Sequence, residues 1–300
     1  QAEDGIRDRS PSRGLGDVYK RQRLQNPANP GLQLTSAVLA AFTKYPRPSL
    51  VDVELGGKSG NKFGFYQQDA AAFRQVARST GLVERIPDTA WRRHPLAFLV
   101  EVADDTCYLI VDLEDAARLG FVPYRDAECL LADLAGNAVS GGRLGRLHDP
   151  KERLEYLRAK AIGHLLESAA VVFLENEDAI INGVFDDELL EQSSVAGPLK
   201  AILRLAKETI YTARPALEIE TAGFEVLGAL LAMFANAVEA RAGHARFTAR
   251  DRMLLQLLPV QFLGHGGEPD PDPYLRLLQV VDFVAGMTDS YAVDMYRKLK

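Results

Sequence analysis

The chain has 300 residues, 47% of them hydrophobic and 25% charged, which describes a globular protein long enough for one large domain or two modest ones. Its net charge of −6 argues against a protein that coats nucleic acid. No unbroken run of about 18 apolar residues and no leader-type apolar core occurs, so neither a membrane span nor a signal peptide is expected and the predicted setting is cytoplasmic.

The first 22 residues, "QAEDGIRDRSPSRGLGDVYKRQ", carry no hydrophobic period. "QAEDGIRD" and "SRGLGDVYKRQ" match, in order and with an index-sized gap, the translation of oligonucleotides ligated onto short-read libraries. Residues 1–22 are therefore expected to be a non-native, disordered, adapter-derived tail, with the protein proper starting near Arg23 inside a longer gene. From there the pattern is helical. "LTSAVLAAFTKYP" predicts a helix stopped by Pro46, and "RPSLVDVELGGKSGNKFGF" a loop. Asp69 is a candidate cap for "AAAFRQVARSTGL", with Gly81 as its stop. Pro95 starts a long helix from Leu96 to about Leu119, ended by Gly120. Helices follow at 124–135 and 150–174, with a Gly-rich loop between them. Two more are separated near Pro215, and "YLRLLQVVDFVAGMTDSYAVDMYRKLK" closes the chain as helix. The predicted class is all-α, with residues 23–300 forming one domain.

The helix segment "EVADDTCYLIVDLED", Glu101 to Asp115, carries six carboxylates among apolar neighbours. At 3.6 residues per turn, Asp104, Tyr108 and Asp112 share one face over roughly 12 Å. A plain solvated face would explain them, but such a face usually mixes in Lys and Arg. Glu114 and Asp115 lie near the helix C-terminus, oppose the macrodipole and are expected at the surface. Glu101 and Asp105 have no assigned role. Cys107 reads as a small core residue, and with Cys129 it forms no CxxC pair and no disulfide framework.

"RHPLAFLVEVADDTCYLIVDLEDAARLG" resembles the second half of the metal site in deoxynucleoside triphosphate triphosphohydrolases, the dGTPase branch of the HD superfamily. "LTSAVLAAFTKYP", "KFGFYQQD" and "VVDFVAGMTDSYAVDMYRKL" match the same family in order, so the resemblance covers essentially all of residues 23–300. It implies an HD-type helical bundle, partial here because the helices carrying the His and His-Asp ligands would lie upstream. It implies a metal-dependent enzyme that splits a deoxynucleoside triphosphate into deoxynucleoside and tripolyphosphate, with a divalent ion such as Mg or Mn activating the water that attacks the α-phosphorus. On matching positions, Asp104 is the last metal ligand, Tyr108 and Asp112 contact the deoxyribose, and Lys44, Tyr45 and Lys62 suit the triphosphate. An aromatic ring can exclude a 2′-hydroxyl, a carboxylate accepts from the 3′-hydroxyl, and a tetra-anion needs cations. Homo-oligomers are also implied.

The family's catalytic His and Glu have no counterpart in this chain, so no catalytic residue is assigned, and the chain itself is expected to bind metal weakly and turn over little. His148-Asp149 follows the Asp104 helix instead of preceding it and reads as a helix N-cap before Pro150. His94 reads as structural or capping, His164 as a satisfied core histidine, and His244 and His265 as turn residues. Two other functions fit less of the pattern: an HD-superfamily nucleotidase or phosphodiesterase, and a non-catalytic nucleotide-binding or regulatory protein.

Overall fold

A computed structural model describes residues 34–139, 141–243 and 245–300; the expectation for residues 1–22 and the reading of His244 lie outside them. The chain divides into two compact units, one ending at Ala213 and the other Arg214–Lys300.

In the first unit, α1 (Ser36–Ala41) ends five residues before Pro46, earlier than the sequence suggests. Thr43 turns its hydroxyl back onto the Leu39 carbonyl (2.8 Å), and a residue before proline is pushed toward extended backbone, so the "TKYP" segment leaves the helix. α2 (Ala70–Thr80) stops at Gly81 in the left-handed conformation, φ 66°, as expected. Asp69 holds the N-cap position without a capping bond from its side chain. Phe65, Phe73 and Trp91 pack α2 onto this end of the unit, with ring centroids 4.5 and 5.3 Å apart. A short antiparallel hairpin, β1 (Glu84–Ile86) and β2 (Ala90–Trp91), is the one departure from the all-α expectation among the described residues.

The acidic helix begins at Pro95 as predicted, with His94 as its cap: the Leu96 N–H donates to Nδ1 at 3.2 Å. It is not one regular helix. α3 (Pro95–Thr106) widens into a π-helical turn over Cys107–Val111 before α4 (Asp112–Arg118) resumes. Wider winding changes the phase of everything downstream. Glu114, expected at the surface, is instead 1% exposed and ion-paired with Arg118 (2.8 Å) and Arg158, whereas Asp115 is exposed as expected. Cys107, expected in the core, faces solvent. Glu114 lies downstream of that turn, whereas Cys107 opens it.

α5 (Tyr124–Ala135) and α6 (Pro150–Glu175) pack closely, and Leu131, Leu134, Leu154, Leu157 and Leu165 fill the space between them and α3–α4. Asp149 caps α6 by accepting from the Lys151 N–H (2.9 Å), so the His-Asp dipeptide is the helix start predicted for it. His164 donates from Nδ1 to the Leu134 carbonyl (2.8 Å), which satisfies the end of α5. After the short α7 (Glu177–Ile181), α8 (Ala196–Leu205) ends in a second π-helical turn, Ala206–Ile210.

The second unit contains α9 (Arg214–Arg241), α10 (Ala249–Leu257), α11 (Pro273–Ala285) and α12 (Asp289–Leu299). Leu230, Phe234, Val238, Leu254, Phe283 and Met295 form its core, and buried Arg276 is held by Glu239 at 3.0 Å. α9 is long and apolar enough to cross a membrane by length and composition, with mean hydropathy 1.5 over its most apolar 18-residue window. Its second half packs as a core helix, with Leu230, Phe234 and Ala237 fully buried.

Leu157 is completely buried at the α5–α6 contact. Leu157→Ala should lower stability by about 2–5 kcal/mol through lost transfer energy and a cavity. In urea titration this would appear as a lower midpoint with unchanged slope.

Candidate functional site

The residues singled out from sequence fall into two groups along α3–α4. The first is built where the "TKYP" segment meets the glycine-containing loop. The Gly64 N–H donates to the Arg47 carbonyl (3.0 Å), and Arg47 donates to the Gly60 carbonyl (3.0 Å). A Cβ on Gly64 would lie 2.2 Å from the Tyr45 carbonyl oxygen, so only glycine permits this approach of the two backbones. As a result Tyr45 is buried with its ring 5.7 Å from the Lys44 ammonium and 5.9 Å from that of Lys62, and the three residues do cluster.

Lys44 is drawn to α3 by an ion pair with Glu101. Burial alone would lower the Lys44 pKa, but the charge and hydrogen bond of Glu101 outweigh it and the net shift is upward. Glu101 is buried, and its second oxygen accepts from Arg93 Nη1 at 2.9 Å. Arg93, also buried, donates to the Asp187 carbonyl (2.9 Å), pairs with Asp186 (3.4 Å) and lies 4.0 Å from the Phe98 ring. Removing one member of such a pair typically costs about 3–5 kcal/mol, because the partner charge stays buried. Lys58 reaches the same 186–191 loop through Glu188 and Glu191, at 3.3 and 3.0 Å.

One turn along α3 from Glu101, Asp105 is half-buried, and its carboxyl is pushed up to about 7, by burial first and then by the Glu101 charge, with Lys44 opposing. Asp104 beside it is exposed. Among the described residues no group of three or more His, Cys, Asp or Glu side chains is arranged to hold a metal ion.

The second group lies across the π turn. Tyr108 and Asp112 are both half-buried, while Asp104 is exposed, so the single regular face drawn from helical spacing is broken between them. Burial pushes the Asp112 carboxyl up to about 6, against the opposing effect of a hydrogen bond from the Tyr211 hydroxyl to Oδ2 at 3.3 Å. The Tyr211 ring lies 5.6 Å from that of Tyr108. Tyr211 is 99 residues from Asp112 in the chain and carries no local signal, and Arg93 and Glu101 acquire a role only through their contacts.

A family model, the phosphohydrolase-associated domain, matches residues 192–298. A Synechocystis sp. protein named deoxyguanosinetriphosphate triphosphohydrolase-like protein is 39% identical over 287 residues, covering 93% of this chain and 62% of the relative. A Pseudomonas aeruginosa protein of the same name is 34% identical over 279 residues, 90% of this chain and 60% of the relative. A Yersinia enterocolitica deoxyguanosinetriphosphate triphosphohydrolase is 26% identical, over 89% of this chain and 60% of the relative. The chain thus spans about three fifths of the length of the relatives it matches.

A carboxyl whose folded pKa lies near 6, above its unfolded value of about 3.9, destabilises the fold wherever it must ionise. The penalty is complete above pH 6 and disappears below about pH 4. Asp112→Asn should therefore raise the thermal midpoint at pH 8, with the gain shrinking as pH falls through that window.

Proposed function

From its homology to deoxyguanosinetriphosphate triphosphohydrolase-like proteins over 93% of its residues, we propose that the protein this chain belongs to hydrolyses a deoxynucleoside triphosphate to deoxynucleoside and tripolyphosphate. Water attacks the α-phosphorus, the bond to the 5′-oxygen breaks, and that oxygen leaves with a proton as the deoxynucleoside. Tripolyphosphate is the other product. The observation that carries the reading is the grouping of Lys44, Tyr45 and Lys62, with Lys44 ion-paired to Glu101 on the helix that leads into Asp104, Tyr108 and Asp112.

In this reading each side chain has one task. Lys44 and Lys62 balance triphosphate charge, and the Glu101–Arg93 pair holds Lys44 on α3 while Tyr45 spaces the two ammonium groups. Tyr108 supplies a flat wall against the deoxyribose, and Asp112 accepts from its 3′-hydroxyl. Asp104 is the ligand this chain contributes to a divalent ion, whose remaining ligands come from outside the described residues. The donor set among the described residues is incomplete, so this chain binds nucleotide while turning it over little. Homo-oligomeric assembly and a cytoplasmic setting belong to the same proposal.

Product analysis tests the proposed inactivity of this chain. Incubated with dGTP and Mn²⁺, the chain should release little or no tripolyphosphate; metal-dependent release abolished by Asp104→Ala would overturn the proposed inactivity. Monophosphate or orthophosphate as the main product would instead favour a nucleotidase or phosphodiesterase. Binding tests the triphosphate contacts: Lys44→Ala should weaken dGTP binding about tenfold and leave deoxyguanosine binding unchanged, as read by calorimetry. Equal loss for both ligands would remove Lys44 from the triphosphate site.

A further inference from the structure

Three half-buried arginines of the first unit converge where the hairpin meets the glycine-containing loop, and the proposed handling of the nucleotide uses none of them. Arg85 is the extra residue of a bulge in β1, with Glu84 facing Trp91 and Ile86 facing Ala90. A bulge re-aims the side chain it carries. Here the Arg85 guanidinium is turned onto the loop, donating to the Gly56 carbonyl (2.6 Å) and the Ser59 hydroxyl (3.0 Å). Arg47 braces the other end of the same loop at the Gly60 carbonyl (3.0 Å). Arg92 follows the opposite strand, with its N–H on the Val83 carbonyl (2.7 Å) and its stem against Gly183, where a Cβ would lie 2.7 Å from Arg92 Cγ. Among the described residues no carboxylate or carbonyl holds the Arg92 guanidinium.

Neighbouring guanidinium groups repel. Burial first and then Arg92 lower the Arg85 pKa, with Asp186 opposing and Arg47 adding to the fall. Asp186 cannot balance all three charges. It is shared with Arg93 (3.4 Å) and with the Ser59 N–H (3.4 Å), and its carboxylate occupies the space that a Cβ on Gly57 would need, so it is held inside the loop. The loop carbonyls orient Arg47 and Arg85 but carry only dipoles. We propose that Arg47, Arg85 and Arg92 form a binding site for a phosphate-class oxyanion, separate from the triphosphate contacts of Lys44 and Lys62. Forked donors brought from three segments suit a tetrahedral, multiply charged anion better than a flat monocarboxylate. Arg47 and Arg85 are set in place beforehand by the loop, and Arg92 supplies the guanidinium that no protein group has taken.

Calorimetric titration of inorganic phosphate into the 300-residue chain, in EDTA and at low ionic strength, tests the site. The unsubstituted chain should bind phosphate saturably, and Arg92→Gln should weaken it about tenfold, the worth of one hydrogen bond to a charged group. Lys44→Ala should keep phosphate affinity within about twofold. Without phosphate the thermal midpoint of Arg92→Gln should equal or exceed that of the unsubstituted chain, because a repelling charge is gone; saturating phosphate should reverse the order. Deoxyguanosine monophosphate distinguishes two sources of the anion. An affinity that Arg92→Gln leaves alone marks a free ion, one that it lowers about tenfold marks a phosphoryl group carried on a nucleotide, and either supports the site. No saturable phosphate binding, unchanged affinity in Arg92→Gln, or a loss in Lys44→Ala as large as in Arg92→Gln would overturn the proposal. A midpoint lowered by Arg92→Gln in the absence of phosphate would mark the residue as structural and overturn it as well.

Discussion

Glu101 is a carboxylate inside the protein, and a buried charge persists only where opposite charge and hydrogen bonds replace the water it has lost. Lys44 and Arg93 meet that demand from two different segments, one leaving α1 and one preceding α3. Arg93 in turn grips the 186–187 backbone and side chain beyond α7. Three stretches far apart in sequence are thereby fixed to the first turns of α3. Their arrangement decides where the Lys44 ammonium stands and which surface of α3 it faces.

Further along the same helix a different device operates. The chain passes through a π turn at Cys107–Val111, and beyond it Glu114 points inward, where Arg118 and Arg158 neutralise it. Asp104 is exposed while Tyr108 and Asp112 are half-buried, so the proposed metal ligand and the proposed sugar contacts stand in different surroundings along one element. The raised pKa of Asp112 follows from that partial burial. A group tuned in this way works against stability, a common pattern where binding sets the requirement.

Much of the fold was legible beforehand because it is written in local chemistry. Pro95, Gly81, Asp149-Pro150 and the helix at 124–135 act through backbone conformation and capping, which depend on a few adjacent residues. The hairpin at 84–91 was missed because its two strands are too short for a period to show. The early end of α1 was missed because Thr43 and Lys44 leave the helix for partners outside it or behind it. The six site candidates were named from resemblance to a family, and the tertiary contacts group Lys44, Tyr45 and Lys62 in one cluster and Tyr108 with Asp112 in another.

By itself the sequence determined the helical class, most helix starts and stops, and the similarity to deoxyguanosinetriphosphate triphosphohydrolase-like relatives, since each depends on neighbouring residues or on the order of matching segments. Only the tertiary structure decided the winding of the acidic helix, the burial of Glu114, the pairing of Lys44 with Glu101 and the meeting of Tyr211 with Asp112. Those outcomes turn on desolvation and on contacts between residues up to 99 positions apart, and neither is encoded in any short stretch of chain.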